Sequence, residues 1–224
     1  ASWLSITHTA GAATASLSGT PTDAEVGSYT VVVTVMDAAG LTATETISIE
    51  VVNTNDAPAI TSTGDTSVNE DSLYDYSITT SDDDSDSGDS WTISSDAATS
   101  ASWLSITHTA GAATATLSGT PTDAEVGSYT VVVTVMDAAG ATDTETIVIG
   151  VVNTNDAPAI DTTGATSVNE DALYSYSITT SDVDSDSSDS WTISCDCSTS
   201  ASWLSITHTA GAATATLSGT PTDA

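Results

Sequence analysis

The side chains with the most capacity for chemistry are carboxylates, and they come in short clusters. Asn53-Thr-Asn-Asp56, Asn69-Glu-Asp71, Asp82-x-Asp84-x-Asp86 and Asp123-Ala-Glu125 each recur 100 positions away. A lone Asp137 ends a Val-rich run, opposite Ala138-Ala-Gly140. These groups offer oxygen and no nitrogen or sulfur. Ca²⁺ takes roughly six to eight oxygen ligands from carboxylates, Asn carbonyls and backbone, so the set suits a hard divalent cation. An EF-hand reading of the run from Asp82 fails, because Ser87 stands where that loop needs Gly and Ile93 where it needs Glu. His8, His108 and His208 lie in Ile-Thr-His-Thr with no nucleophile motif beside them, and read as strand-surface histidines. The Thr142-Asp-Thr-Glu-Thr146 row reads as an exposed strand face.

Charge makes the cation reading more pressing. The chain of 224 residues has no Lys, no Arg and 31 acids, for a formal charge of −31. Such an excess destabilises a compact state by self-repulsion. Only cations from solution can neutralise it. The same arithmetic excludes nucleic-acid partners, which need a basic footprint, and any lysine or arginine grip on phosphate. No apolar run is long enough to span a bilayer, so no membrane insertion is expected. The first residues show no basic segment followed by an apolar run. An acidic, Ser/Thr-rich composition suits an extracellular setting. Hydrophobic content of 39% and runs such as Tyr29-Thr-Val-Val-Val-Thr-Val35 argue for a packed core rather than an acidic tail.

The elements that must position these acids repeat. Residues 1–100 and 101–200 align without gaps at 85 identical positions, and 201–224 match 101–124 at all 24. A period of 100 is too long for a solenoid unit and fits one small sandwich domain. Within a period the pattern is β throughout, with turn residues between short alternating runs. After Pro58 the strands are expected near Ala59–Ser62 with Ser67–Val68, Leu73–Thr80, Trp91–Ser94, Trp103–Thr107, Thr114–Ser118, Ser128–Met136 and Thr142–Val152. Seven strands in about 100 residues indicate an all-β, tandem seven-stranded Greek-key β-sandwich. Tyr129, after Gly127, is placed either at a tyrosine corner or simply in the core.

Pro58 and Pro158 end the runs Val-Val-Asn-Thr-Asn-Asp-Ala-Pro and set the boundaries. Residues 57–156 then form a complete repeat. Residues 1–56 hold the C-terminal part of a repeat and 157–224 the N-terminal part. The missing strands of each end are those of the opposite end, so the chain is either a stretch of a longer array or completes itself between copies. Loops cluster at the poles of a sandwich, and tandem stacking brings the acids of successive poles toward the linker.

The set N-x-N-D-A-P, N-E-D, D-x-D, D-A-E and the Asp after V-T-V-M resembles the cadherin ligand set at domain junctions. The string L-S-G-T-P-T-D-A-E-V-G-S-Y-T-V-V-V-T-V-M-D-A-A-G resembles bacterial cadherin-like (dystroglycan-type) and Ig-like repeats of large surface proteins, and the resemblance covers essentially the whole chain. It implies a first Ca²⁺ junction from Asp23, Glu25, Asn53, Asn55, Asp56, Asp82, Asp84 and Asp137. It implies a second from Glu70, Asp123, Glu125, Asn153, Asn155, Asp156, Asp182 and Asp184. Two departures stand out: Asn53 replaces a common Asp, and the D-A-E triplet lacks its usual central Arg.

Cys195 and Cys197 replace Ser95 and Ala97 of the preceding period. On an extended strand their Cα atoms would lie roughly 6.5–7 Å apart, at the limit for a disulfide. A local bridge therefore needs a bend; a cross-link elsewhere and two free thiols stay open. The overall expectation is a non-enzymatic extracellular rod or filament of repeats, stiffened by Ca²⁺. Its partners would be identical or homologous repeats end to end, and cell-surface or matrix components. The alternative is an adhesin whose domains themselves bind a glycan or protein.

Overall fold

The computed structural model describes residues 2–84, 90–184 and 190–223. The first 56 residues hold two antiparallel ribbons, β1 (Ser5–His8) with β2 (Ala15–Ser18) and β3 (Gly27–Met36) with β4 (Thr42–Val51). Then come β5 (Ala59–Ile60), β6 (Ser67–Asn69), β7 (Tyr74–Ser81) and β8 (Thr92–Ser95). They are followed by β9 (Leu104–His108), β10 (Thr114–Gly119), β11 (Gly127–Met136) and β12 (Thr142–Val152). The last stretch has β13 (Ala159–Ile160), β14 (Tyr174–Ser181), β15 (Leu204–His208) and β16 (Thr214–Gly219). Single helical turns, α1 (Ala97–Ser100) and α2 (Cys197–Ser200), are the only α-helices among the described residues. Short 3₁₀ turns hold Asp23–Glu25 and Asp123–Glu125.

The sheets are ordered β5-β7-β10-β9, β6-β12-β11-β8 and β13-β14-β16-β15. The run expected as one first strand is divided in two. Ala59 pairs with Ser81 of β7, whereas Ser67–Asn69 pair in parallel with Gly150–Val152 of β12. The chain changes sheets between them. Gly64 lies in that crossing, where an added Cβ would stand 2.7 Å from Ile147 Cδ1 and 3.0 Å from the Tyr74 hydroxyl. A side chain there would have to displace the Ile147 methyl and crowd the Tyr74 hydroxyl.

By compactness the chain divides into two units, residues 1–66, 74–119 and 129–149 in one, and 67–73, 120–128 and 150–224 in the other. The first unit contains most of the core. Period-two alternation puts Tyr74, Tyr76 and Ile78 inward while Asp75 and Ser77 face solvent. Leu104, Ala115 and Leu117 join them, and Val131, Val133, Val135, Ile147 and Ile149 close over them, none more than 6% exposed. Trp103 packs edge-on between Tyr74 and Tyr129, with ring centroids 6.1 and 5.9 Å apart. Tyr76 donates from its hydroxyl to Glu145 Oε2 at 2.5 Å, which ties one sheet to the other. Tyr129 therefore serves the core; the hydroxyl that closes a backbone corner is that of Tyr74, donating to the Asp65 carbonyl at 2.9 Å. Gly127, with φ near +149°, gives β11 its entry angle. In the second unit the β13-β14-β16-β15 sheet buries Ile178, Ala215 and Cys197.

Identical residues in unequal surroundings provide a test of this packing. Leu117 is fully buried and its counterpart Leu17 in β2 is half-buried. Leu117→Ala should cost about 2–5 kcal/mol, and Leu17→Ala clearly less. Urea unfolding of both variants measures the difference, and equal losses would contradict the assignment of the core.

Candidate cation site

Four carboxylates converge within the second unit. Glu70, Asp123, Asp156 and Asp184 each place one oxygen within 4.8 Å of the others. Glu70 is 2% and Asp184 5% exposed. Each is held by local chemistry. β6 ends at Asn69, and the Glu70 N–H donates to the Val152 carbonyl at 3.0 Å. Asp71 then adopts a left-handed conformation, φ 56°, which Asp tolerates better than most residues. Its N–H donates to the Pro121 carbonyl at 2.8 Å, pinning this turn against the loop that holds Asp123. That loop is a capping box: the Thr122 N–H and hydroxyl donate to Glu125 Oε2 at 2.8 and 2.6 Å. From the linker, the Thr154 N–H donates to Glu70, the Asp156 N–H to Asp184, and the Asn153 amide to Asp184 Oδ1 at 2.8 Å.

These donors do not satisfy the cluster. Glu70 Oε2 and Asp123 Oδ1 are buried and accept no hydrogen bond. A buried acceptor without a partner is costly, and a buried charge more so. The Thr154 N–H pulls the Glu70 pKa down. Burial and the adjacent Asp123 and Asp184 carboxylates outweigh it and push the carboxyl up. Asp156 is also pushed up, by the adjacent Asp123 carboxylate first, then by burial and by the Asp184 and Asp71 charges. Oxygens on opposite sides of a Ca²⁺ ion are about 4.6–5.2 Å apart, given its bond lengths. The donor set, its spread and its orphaned oxygens all fit such an ion.

Of the residues expected at this junction, Glu70, Asp123, Asp156 and Asp184 come together. Glu125 spends an oxygen on its cap. Asp182 Oδ1 accepts the Asp184 N–H at 3.3 Å, and Asn155 donates to the Asp156 carbonyl at 2.6 Å. These three shape the loops around the cluster.

In the first unit the corresponding acids are near one another but do not form a four-oxygen group. The Asn55 amide donates to Asp137 Oδ2 at 2.8 Å, the Asp56 N–H to Asp84, and the Asp84 N–H to Asp82 Oδ1 at 3.1 Å. Asp82 Oδ2 and Asp84 Oδ1 are buried without partners. The charge of Asp23 leads the causes that raise the Asp56 pKa. Glu25 repeats the cap of Glu125, bonded to Thr22. Asn53 is half-buried at the head of this linker. Asp137 Oδ1 accepts N–H bonds from Gly140 and Ala141 at 2.6 and 2.8 Å, and Asp37 closes the same turn in the preceding repeat. Its first task is thus local. The Asn55 bond is the largest of the causes that hold its pKa down. A Glu70 counterpart for this group would fall 100 positions earlier, before residue 1. Asp86, Ser87 and Asp186 lie outside the described residues.

The remaining candidates are local fixtures. His8, His108 and His208 each place Nε2 within 3.0 Å of the carbonyl four residues on. Cys195 and Cys197 are joined as a disulfide, with Cα atoms 5.2 Å apart. The bend it needs is the start of α2 at Cys197. Sequence reasoning missed the Thr122–Glu125 capping box, although T-x-x-E is its usual signature. It also missed the backbone N–H groups of Thr154 and Asp156, which no residue type announces.

The family described as “Putative Ig domain” matches residues 2–52 and 57–152. Among solved structures, Protocadherin Gamma B2 extracellular cadherin domains 1-5 is 17% identical, with TM-score 0.58 over 93% of this chain and 42% of that one. Its domains 3-6 are 18% identical, with TM-score 0.54 over 92% and 51%. At such identities the likeness is one of fold, a cadherin- and Ig-like sandwich. An endo-fucoidan hydrolase of glycoside hydrolase family 107 is 24% identical over 99% of this chain and 33% of that chain, but its TM-score is 0.38. The chain thus spans a third to half the length of these solved chains. No curated protein matches it.

The raised carboxyls fix a direction with pH. A group with a raised folded-state pKa contributes stability in full below its unfolded pKa and loses it as pH rises through the folded value. Glu70, Asp56 and Asp156 act this way, and Asp137 acts oppositely, losing its contribution as pH falls through its lowered pKa. Without divalent cations, the melting temperature should fall as pH rises from the ordinary carboxylate range, about 4, toward neutrality. Calorimetry in chelator checks this; a steady rise over that interval would contradict it.

Proposed function

This chain belongs to that Ig-domain family, and from there we propose that it is a non-enzymatic segment of tandem extracellular β-sandwiches stiffened by Ca²⁺ at the linkers. The observation that carries the reading is the convergence of Glu70, Asp123, Asp156 and Asp184, with two oxygens buried and unpartnered. These four would hold the ion, with Asn153, Asn155 and Asp182 around it and Glu125 bracing the Asp123 loop. A bound Ca²⁺ supplies two positive charges that no side chain of this chain can supply.

The mechanical consequence follows from where the ligands lie in sequence. Glu70 and Asp123 come from the repeat 57–156, Asp156 from its linker, and Asp184 from the repeat that begins at 157. An ion bound by all four ties the linker to both flanking repeats. The family match over 57–152 supports that frame. Asp23, Glu25, Asn53, Asn55, Asp56, Asp82, Asp84 and Asp137 would form the equivalent site at 52–58. Near-identity between repeats favours one job done many times, such as a surface stalk, spacer or matrix fibre whose neighbours are further repeats.

Calcium at 100 times its dissociation constant should raise stability by about 2.7 kcal/mol per site. Glu70→Gln should weaken binding by about tenfold or more with strand content intact, whereas Glu170→Gln should not. Titration calorimetry on the two variants, with melting in Ca²⁺ and in chelator, makes the test. Equal affinity for both variants, or melting indifferent to chelator, would overturn the reading.

A further inference from the structure

An open sheet ends in two edge strands, each with a row of backbone N–H and C=O groups that no strand of its own sheet can take. In the repeat 57–156 the edges are β5 and β9 of one sheet and β6 and β8 of the other. Three of the four are short or plugged. β5 has two residues, and Asp143 Oδ2 accepts its Ile60 N–H at 2.9 Å. β6 has three. β8 has four, after which the chain turns into α1 and Asp96 Oδ1 accepts the Val132 N–H at 2.8 Å. β9 is the longest, five residues of sequence Leu104-Ser-Ile-Thr-His108, and carries none of these devices. It holds no acid and no Pro, and it pairs with β10 in unbroken register, without a bulge. Its Ser105 hydroxyl donates inward, to the Ser118 carbonyl of β10 at 3.3 Å. The repeat 57–156 has both of its sheets, so this edge is open because of the fold itself.

We propose that β9 is a lateral docking edge and that its occupant is β9 of a second copy, added antiparallel about a two-fold axis through Ile106. The strand is self-complementary in that register. Ser105 stands opposite Thr107 on the outer face, and on the inner face Leu104 stands opposite His108 and Ile106 opposite Ile106. Opposed residues have Cβ atoms about 4.5–5.5 Å apart, so like charges there would forbid the contact, and the strand has none. Hydroxyls meet hydroxyls, continuing rows that already run from Ser105 to Ser118 and from Thr107 to Thr116. Ile106 supplies the apolar gain. It is only half-buried, whereas Leu104 and Leu117 beside it are 3% and 0% exposed. Pairing joins two four-stranded sheets into one continuous sheet and closes both open edges at once.

The same edge is offered more than once. Leu-Ser-Ile-Thr-His recurs unchanged at 4–8, 104–108 and 204–208, and the last is again an outermost strand, β15. A five-residue contact is weak alone. Repeated along one chain it strengthens through effective concentration, because one paired edge holds the next near its partner. The outer face of β9 and β10 presents Ser105, Thr107, Thr114, Thr116 and Ser118, all uncharged. The whole-chain charge of −31 opposes approach, so the contact strengthens as salt screens that repulsion. It needs no metal ion and therefore stands or falls apart from the calcium reading. Its consequence is association of these chains side by side.

The test is sedimentation of the 224-residue chain in chelator at rising salt. Mass should climb with concentration beyond 22.4 kDa. Thr7→Asp, Thr107→Asp and Thr207→Asp together put a charge on every such edge and should weaken association by about tenfold or more, since each carboxylate must shed water against another copy. Thr14→Asp, Thr114→Asp and Thr214→Asp add the same charge one strand inward and should change it little. The register has its own readout. With oxidised glutathione, Ile106→Cys should give a disulfide-linked dimer, because opposed Cβ atoms lie close to disulfide range, and Thr114→Cys should not. A monomer at every concentration in high salt, association that survives the edge charges, equal loss in both sets of three, or no linked dimer from Ile106→Cys would overturn the proposal.

Discussion

Every anionic group in this chain must be satisfied without a cationic side chain. That single constraint shapes the structure from its turns to its linkers. Exposed acids stay hydrated. Acids at turns take backbone N–H groups, as Asp37 and Asp137 do, or close a capping box, as Glu25 and Glu125 do. Glu145 takes a tyrosine hydroxyl and a glycine N–H. Where those donors run out, at Glu70 and Asp123, oxygens remain buried and bare. In a chain with even a few arginines the same geometry would argue weakly for a metal. Here no internal alternative exists.

The near-identical repeats act as a control on what is local and what is tertiary. The histidine-to-carbonyl bond occurs in all three repeats, and the Asp turn occurs at both Asp37 and Asp137, whether or not the rest of the sandwich surrounds them. These are consequences of a few adjacent residues. The β6 and β8 strands have no equivalent at 167–169 and 192–195. A three- or four-residue edge strand has little propensity of its own and exists when a neighbour offers a free ladder. Burial follows the same rule, since Val35 and Val135 share a sequence context and differ from 66% to 0% exposure.

That contrast explains which features could be read from the chain alone. Strand positions from Tyr74 to Val152 were legible because alternation of Tyr, Ile, Val and Leu with Ser, Thr and Asp marks a half-buried sheet. The sheet change at Gly64 was not, because it depends on Ile147 and Tyr74 standing close in space. The short helical turn after Asp96, and with it the bend that lets Cys195 reach Cys197, carries no periodic signal over its four residues. At the cation site the acids were legible by type and spacing. The donors from the linker backbone were not, nor was the division of labour in which Glu125 braces a loop while Asp123 faces the cluster.

Those linker donors provide the most direct measurement. The Thr154 N–H bonds Glu70 and the Asp156 N–H bonds Asp184, so an ion taken up by these carboxylates must perturb both amides. In a nitrogen-edited NMR titration of the 224-residue chain, the account predicts saturable, Ca²⁺-specific shifts at Thr154 and Asp156, with Asp171 little changed. Small shifts spread evenly over exposed acids, reproduced by sodium at equal ionic strength, would contradict it and reduce the cluster to an unoccupied, merely acidic linker.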